Sequence, residues 1–524
     1  MTTVAILLSA ITILFLKGCG NRNEGSESAT SEASPESSST VASEKNPVNI
    51  VVIMLDDLDV RSVETLVQRG WMPSLKKYFV DSGITFTESF VTNSLCCPSR
   101  ATFLTGQYSH NHRVFSNTTS EGGGVTALED SETLGVWLQR QGYITGHIGK
   151  YLNEYGIETE ETYIPPGWNE WHALVDWSTY NMYNYKMNEN GDIRIHLNEY
   201  QTDLLGQRAS ELIQKYSTRM EPLFFVVTPL AVHLEGTFSA LLDCTTSAGF
   251  QLTVRPSEKY AGTLQSISLP RSPSFNEEEM SDKPYWLQEI ASMSSNQADC
   301  AETIFQNRLE ALRSADDLIK TIVEALEATK RLDNTVLIFT SDNGYLLGEH
   351  RLNQYKSYAY EESIRVPLYL RVPDSSGSEE IQQIVLNNDL APTIVDLADA
   401  TPGIPVDGRS LIPLLEDPER SDWRKRFLIE NYGIGDMYPP TFSAIRTGSR
   451  ETDTPNHLYV MYVYVMYEDE ENSRELYDLS NDPYQLESLH NAENYGAQRE
   501  TLEKWLLQLK ECGNGSCQSL ESSD

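Results

Sequence analysis

The chain is predicted to adopt an α/β fold built on a largely parallel sheet, and three observations carry that prediction. Apolar runs recur along it: VNIVVIML (48–55), LFFVVTPL (223–230), TVLIFT (335–340) and VPLYLRV (366–372). Runs this short and this continuously apolar read as strands buried on both faces. Between them lie stretches such as SETLGVWLQRQG (131–142) and NRLEALRSADDLIKTIVEALEATKRL (307–332), whose apolar residues recur at helical spacing. Beyond residue 425 the pattern changes to short strand-like pieces, including NHLYVMYVYVMY (456–467), and a final helix, ETLEKWLLQLKEC (500–512). Those pieces predict a small antiparallel subdomain. The long stretch 234–300 has weak periodicity and reads as an insertion of loops.

Taken in order, the chain divides into an export signal (1–19), a linker (20–47), a catalytic domain (48–425), an α+β subdomain (426–512) and a tail (513–524). The thirteen-residue apolar run Val4 to Leu16 is shorter than the roughly 20 residues that span a bilayer, so it reads as a signal peptide. Leu16, Lys17, Gly18 and Cys19 resemble a bacterial lipoprotein signal, in which Cys19 would be lipidated; simple secretion is the alternative. Residues 20–47 are Ser, Glu and Ala with almost nothing apolar and cannot offset the entropy of ordering. Export to the periplasm, the outer surface or the medium permits disulfides, and Cys244 with Cys300 and Cys512 with Cys517 are the pairs expected.

In this chain of 524 residues, Asp and Glu number 76 against 40 Lys and Arg, a formal charge of -36. Bulk electrostatics of that sign disfavour nucleic acid and anionic membrane surfaces as partners, leaving an N-terminal lipid anchor as the one expected membrane attachment. An anionic substrate would need clustered cations or a bound metal ion to draw it in.

Three of the four apolar runs end in polar residues: Asp56 and Asp57, Thr228 through His233, and Asp342 and Asn343. Ligands bind at the carboxyl ends of such strands. Two carboxylates, then a carboxylate and a carboxamide, form an all-oxygen set suited to a hard cation, calcium or magnesium. Capping and turn chemistry is the alternative for either pair alone.

The segment SLCCPSRATFLTG (94–106) has no zinc-site spacing, and a bond between adjacent Cys96 and Cys97 would be strained. Cys96, Pro98, Ser99, Arg100, Leu104, Thr105 and Gly106 resemble the signature of the type I, formylglycine-dependent sulfatases. The resemblance extends over residues 47–490 through NIVVIMLDDLD (49–59), GKYLNEYG (149–156), RLEALRSADDLI (308–319), DNTVLIFTSDNGYLLGEHRL (333–352) and ELYDLSNDPYQ (475–485). It is strongest toward the N-acetylglucosamine-6-sulfatase and extracellular heparan sulfatase branch. The resemblance implies an alkaline phosphatase-like fold, a central mixed sheet between helices with a small carboxy-terminal sheet. It also implies hydrolysis of sulfate monoesters on a sulfated carbohydrate, resembling 6-sulfated N-acetylglucosamine.

Carried over residue by residue, Cys96 resembles the cysteine that a formylglycine-generating enzyme oxidises, and the hydrated aldehyde would supply two hydroxyls on one carbon. Asp56, Asp57, Asp342 and Asn343, with the oxygen of residue 96, match the family's shell for one Ca2+. Arg100 would steady the formylglycine, Lys150 and Lys356 match the sulfate-binding lysines, and His233 matches a proton donor or acceptor. Leu152 stands where many sulfatases carry a second histidine, and Leu230 and Val232 replace a histidine and a proline frequent in the family. His110 and His112 are expected to be structural. Two alternatives stay open: a phosphate or phosphonate monoester hydrolase of the same superfamily, and an inactive glycan-binding surface protein.

Overall fold

The computed structural model describes residues 47–237, 251–373, 377–433, 439–448, 462–468 and 472–523. The expected signal, linker, Cys19 and Cys244 lie outside the described residues, as does 456–461 of the strand expected at 456–467. No helix among the described residues is long and apolar enough to cross a membrane.

The first apolar run becomes β1 (Asn49–Leu55), every residue of it buried, as two covered faces require. The other strands of its sheet are β2 (Ile84–Phe86), β3 (Ile144–Gly149), β4 (Glu170–Leu174), β5 (Tyr185–Glu189), β6 (Asp192–His196), β7 (Leu223–Thr228), β8 (Thr335–Ser341), β9 (Leu368–Arg371) and β10 (Glu379–Ile381). They lie in the order β10-β2-β9-β8-β1-β7-β3-β4-β5-β6. The five central strands, β8, β1, β7, β3 and β4, are parallel. Alternate residues of β1 serve opposite cores: Val51, Ile53 and Leu55 pack on one face, Ile50, Val52 and Met54 on the other.

The run at 366–372 was expected in the parallel set, yet β9 pairs antiparallel with β8. Direction cannot be read from apolar content alone, because burial on both faces is the same either way. The edge strands β5 and β6 are a hairpin closed by Asn190 and Gly191, both at positive φ (55° and 91°). Asn-Gly is the residue pair such a two-residue turn favours.

The helix expected at 307–332 runs instead over Ser295–Ala328. Its start is set by a capping box in which Ser294 and Gln297 satisfy each other's backbone donors, a signal stronger than the weak apolar period there. Cys300 therefore lies on this helix. The helix start packs over a region, 254–293, that buries Val254, Leu264, Ile267 and Leu269 without forming sheet.

A four-stranded antiparallel sheet, Arg426–Asn431, Phe442–Thr447, Tyr462–Tyr467 and Arg474–Asp478, forms the second, smaller sheet. It carries its own core, which Leu502, Leu506 and Leu509 of the final long helix complete. Cys512 and Cys517 form the expected disulfide. The segment expected as a tail contains a helix, Ser516–Ser522, whose Glu521 is fully buried. Glu521 accepts from Arg424 (2.8 Å), Arg409 (2.9 Å) and the Tyr108 hydroxyl (2.5 Å), while Arg424 forks onto Asp389 at 2.6 and 2.8 Å. Nearby, His110 places Nδ1 2.8 Å from Glu430 and Nε2 2.7 Å from the Cys512 carbonyl. Both of these partners accept and favour a doubly protonated ring, although the Asn111 amide nitrogen also lies 3.1 Å from Nε2. Burial opposes that charge, but the hydrogen bond to Glu430 prevails and raises the His110 pKa to about 9.

Two stability predictions follow from this corner. Glu521→Ala leaves the buried Arg424 and the half-buried Arg409 short of a partner and should cost about 3 kcal/mol of unfolding free energy, read as an earlier urea transition. A loss below about 1 kcal/mol, the scale of an exposed pair, would refute the buried network. His110, with its raised pKa, contributes fully below pH about 6.5 and loses that contribution as pH rises through about 9. The stability advantage of the wild type over His110→Gln should therefore shrink by about 2 kcal/mol between pH 6 and pH 9.5. An advantage independent of pH would show that the imidazole is neutral.

Candidate active site

Parallel strands deliver their carboxyl ends to one edge of the sheet, and here four of them deliver polar residues. β1 and β8 pair in the register Leu55↔Ser341, so the residues that follow, Asp56 with Asp57 and Asp342 with Asn343, emerge side by side. β7 pairs with β1 and β3, bringing His233 and Lys150 to the same edge. Successive side chains of a strand point to opposite faces, which would separate Asp56 from Asp57. Asp57 breaks the alternation with a left-handed backbone (φ 59°). That conformation is costly outside glycine, and it is sustained here by an Asp57 N–H to Asp342 Oδ1 bond (3.1 Å) and by Arg308, which donates to the Asp57 carbonyl at 2.5 Å.

Cys96 opens the buried helix Cys96–Thr105. Its closing residue, Gly106, is left-handed (φ 70°), and a Cβ there would come within 3.1–3.3 Å of Ala391, Val406 and Pro392. Arg100 sits one turn after Cys96 on the same face. Its Nε donates to Asp342 (2.8 Å), Nη2 to Asp56 (3.1 Å) and Nη1 to the Lys150 carbonyl (2.8 Å), so one guanidinium ties three strand ends together.

Lys150 Nζ lies 2.5 Å from Asp56, and Lys356 Nζ lies 2.5 Å from Asp57 and 2.8 Å from Cys96 Sγ. Burial disfavours both ammonium groups, but Asp56 and Asp57 respectively reverse the effect and hold each well above the usual lysine range. Cys96 Sγ is also 3.6 Å from Asp56. Burial, reinforced by Asp56, pushes this thiol up to about 12. At neutral pH it is therefore a protonated thiol, a poor nucleophile as it stands.

His233 donates Nδ1–H to the Leu234 carbonyl (2.7 Å), which fixes the tautomer and leaves Nε2 3.5 Å from Asp57. Burial lowers its pKa against the pull of Asp57 and Asp56, so the ring is neutral with Nε2 available. The ring edge keeps 18% exposure, enough for a ligand to reach it.

Asp56, Asp57, Cys96 and His233 bring ligand atoms within 4.8 Å of one another. Two further signs fit a hard cation. The Asn343 Oδ1 atom is buried without a hydrogen-bond partner although its Nδ2 donates to Asp57 (2.7 Å). Burial and the neighbouring Asp56 raise Asp342 to about 6, the mark of crowded carboxylates that an added positive charge would relieve. Three carboxylates, Asp56, Asp57 and Asp342, face three cations, Arg100, Lys150 and Lys356.

All nine residue positions singled out for chemistry thus meet at this edge. His110 and His112 do not: His112 is bound to Thr102 Oγ1 (3.0 Å) and to the Val114 N–H (3.0 Å), and burial lowers it to about 3. Two residues of the neighbourhood carried no assigned role from sequence. Arg308 is fully buried and bonds Asp59 (2.8 Å) and the Val232 carbonyl (3.3 Å) as well as Asp57, bracing the β1 and β7 loops. Its signals were an arginine on the apolar face of a long helix and its place at the head of RLEALRSADDLI (308–319). Tyr180 packs tilted against His233 (ring centroids 5.1 Å, 50° between planes) and had none.

Comparison with known proteins places this arrangement. The sulfatase family pattern matches residues 48–400, and that of the N-sulphoglucosamine sulphohydrolase C-terminal region matches residues 348–512. N-acetylglucosamine-6-sulfatase of Capra hircus is 31% identical over 507 residues, 90% of this chain and 85% of that protein. Extracellular sulfatase Sulf-1 homologs of Caenorhabditis elegans and Drosophila melanogaster are 32% and 31% identical, but the matches span only 52% and 36% of those proteins. Among solved structures, one determined with its substrate D-glucosamine-2-N,6-O-disulfate is 20% identical, with a TM-score of 0.70 over 89% of this chain and 98% of that one. It shares the fold. With a matching pattern across most of the described sheet and a full-length relative above 30% identity, the chain belongs to the sulfatase family and is a sulfuric ester hydrolase.

Proposed function

We propose that the protein is an exported sulfatase that removes sulfate from a sulfated sugar of the 6-sulfated N-acetylglucosamine type, using formylglycine made from Cys96 and one calcium ion. The observation that carries this reading is the meeting of Cys96 with Asp56, Asp57, Lys150, His233, Asp342, Asn343 and Lys356 at one sheet edge. The substrate class rests on the relatives, since the goat protein is an N-acetylglucosamine-6-sulfatase and the fly protein an extracellular sulfatase. The fly protein's extracellular description also supports export, with Cys19 as the proposed lipidation site.

Burial holds the Cys96 thiol up at about 12, which makes it a poor nucleophile as it stands and supports its oxidation by a formylglycine-generating enzyme. The hydrated aldehyde supplies one hydroxyl to attack sulfur, displacing the sugar oxygen; the second then gives up its proton and re-forms the C=O as the bond from that carbon to the sulfate oxygen breaks, releasing sulfate and the aldehyde. Asp56, Asp57, Asp342 and Asn343 would hold the calcium ion, which supplies positive charge that lowers the pKa of the attacking hydroxyl. Arg100 keeps Asp56 and Asp342 aligned. Lys150 and Lys356, both charged, face where sulfate oxygens would sit and offset charge on the departing sugar oxygen. His233 moves the proton at Nε2, because Nδ1 is committed to Leu234.

Peptide mass spectrometry of protein from a host that makes the oxidising enzyme should show the peptide ending at Arg100 lighter by about 18 Da, the change from thiol to aldehyde. Cys96→Ser should lose roughly 10³-fold or more in turnover of a 6-sulfated N-acetylglucosamine. Hydrolysis by protein with an intact Cys96 thiol would overturn the mechanism. Separately, EGTA should abolish turnover and lower Tm, with calcium restoring both, because the oxygen set of Asp56, Asp57, Asp342 and Asn343 loses an ion bound to the folded state alone. Turnover indifferent to chelation would remove the metal from the proposal.

A further inference from the structure

The segment Trp177–Tyr180 has a feature the reaction alone does not require. Of eight tryptophans in the chain, Trp177 alone is exposed, at 61%. A large apolar side chain left in water beside a catalytic edge suggests a surface used by a ligand. Ser178–Tyr180 is a single 3₁₀ turn, and the Tyr180 N–H reaches back to the Trp177 carbonyl (3.4 Å). Trp177 caps this turn, so it and Tyr180 stand three positions apart at its two ends. Thr179 is buried between them, and the Ser178 hydroxyl donates to the Val175 carbonyl (2.7 Å) and accepts from Lys186 N–H (2.8 Å). The turn is therefore fastened from behind.

Tyr180 reaches the reaction centre. Its ring lies 5.1 Å from the His233 ring and 5.0 Å from Lys150 Nζ, and its hydroxyl accepts from Asn153 Nδ2 (2.8 Å). Two aromatic faces thus lead outward from the sulfate-binding cations, one beside them and one in solvent. A pyranose ring offers polarised C–H groups on its flat face, the complement of an aromatic face, while its hydroxyls stay hydrated at the rim.

We propose that Trp177 and Tyr180 form an aromatic wall on which consecutive sugar units stack, Tyr180 beside the sulfated unit and Trp177 beside the next. This rests on the sulfated-sugar reading, so its test uses binding as well as turnover. In Cys96→Ser protein, which holds substrate without turning it over, calorimetry would compare 6-sulfated N-acetylglucosamine with a disaccharide ending in that unit. Trp177→Ala should weaken the disaccharide about five- to tenfold more than the monosaccharide. Trp177→Phe should restore most of the loss, and Met220→Ala, at an exposed apolar position outside the segment, should change neither. Equal effects on the two sugars, no effect, or no binding of either sugar by the parent protein would overturn the wall. Disaccharide binding that depends on Trp177, alongside no hydrolysis by protein carrying formylglycine at residue 96, would support the wall and sink the sulfatase reading instead.

Discussion

The parallel pairing of β1 with β8 in the register Leu55↔Ser341 is the constraint on which the site depends. It converts a separation of 286 positions in the chain into lateral contact, since both pairs, Asp56 with Asp342 and Asp57 with Asn343, share that offset. A slip of one residue would turn every side chain of β1 to the opposite face and exchange its two cores. Such a slip is costly because both faces are buried: Ile50, Val52 and Met54 on one side, Val51, Ile53 and Leu55 on the other. Hydrophobic packing of the strand thus determines where the carboxylates stand.

Register alone brings like charges together, and crowding of Asp56, Asp57 and Asp342 would unfold the edge without compensation. Arg100 is the first compensation, and its planar fork suits the task better than a lysine would, because it bonds two carboxylates and a carbonyl at once. Arg308 is the second, holding the backbone on which Asp57 adopts its left-handed turn. These two arginines serve geometry, while Lys150 and Lys356 keep compact ammonium groups that a sulfate oxygen could share with the carboxylates.

The sheet was legible in the sequence because double burial writes itself as continuous apolar runs, and the polar residues at their ends were legible because the runs stop so abruptly at Asp56, Thr228 and Asp342. The antiparallel direction of β9 was not, since apolar content carries no sense of direction. The early start of the long helix was recorded in Ser294 and Gln297, a capping signal outweighed by the weak period that follows it. Arg308 and Tyr180 escaped for a different reason: one looks like a break in an apolar face and the other lies in a loop, and only tertiary contact reveals what either touches. The C-terminal helix holding Glu521 was hidden likewise, because a single buried acid in a Ser-rich segment resembles any solvated one.

The chain's charge of -36 opposes an anionic substrate at long range, but that opposition is short-lived in physiological salt, where fields between exposed groups fade over about 8 Å. Inside the edge the screening is weak and the local balance governs. Three carboxylates against three cations leave the protein groups near neutrality, too little to hold a sulfate monoanion against its hydration. A divalent cation held by these carboxylates would change that balance to a net positive one. The buried, unpartnered Asn343 Oδ1 and the raised Asp342 are both consistent with the proposed ion at this edge. On this view the acidity of the surface and the affinity of the site are independent, and the aromatic faces of Tyr180 and Trp177, being neutral, can extend the binding surface outward without disturbing either.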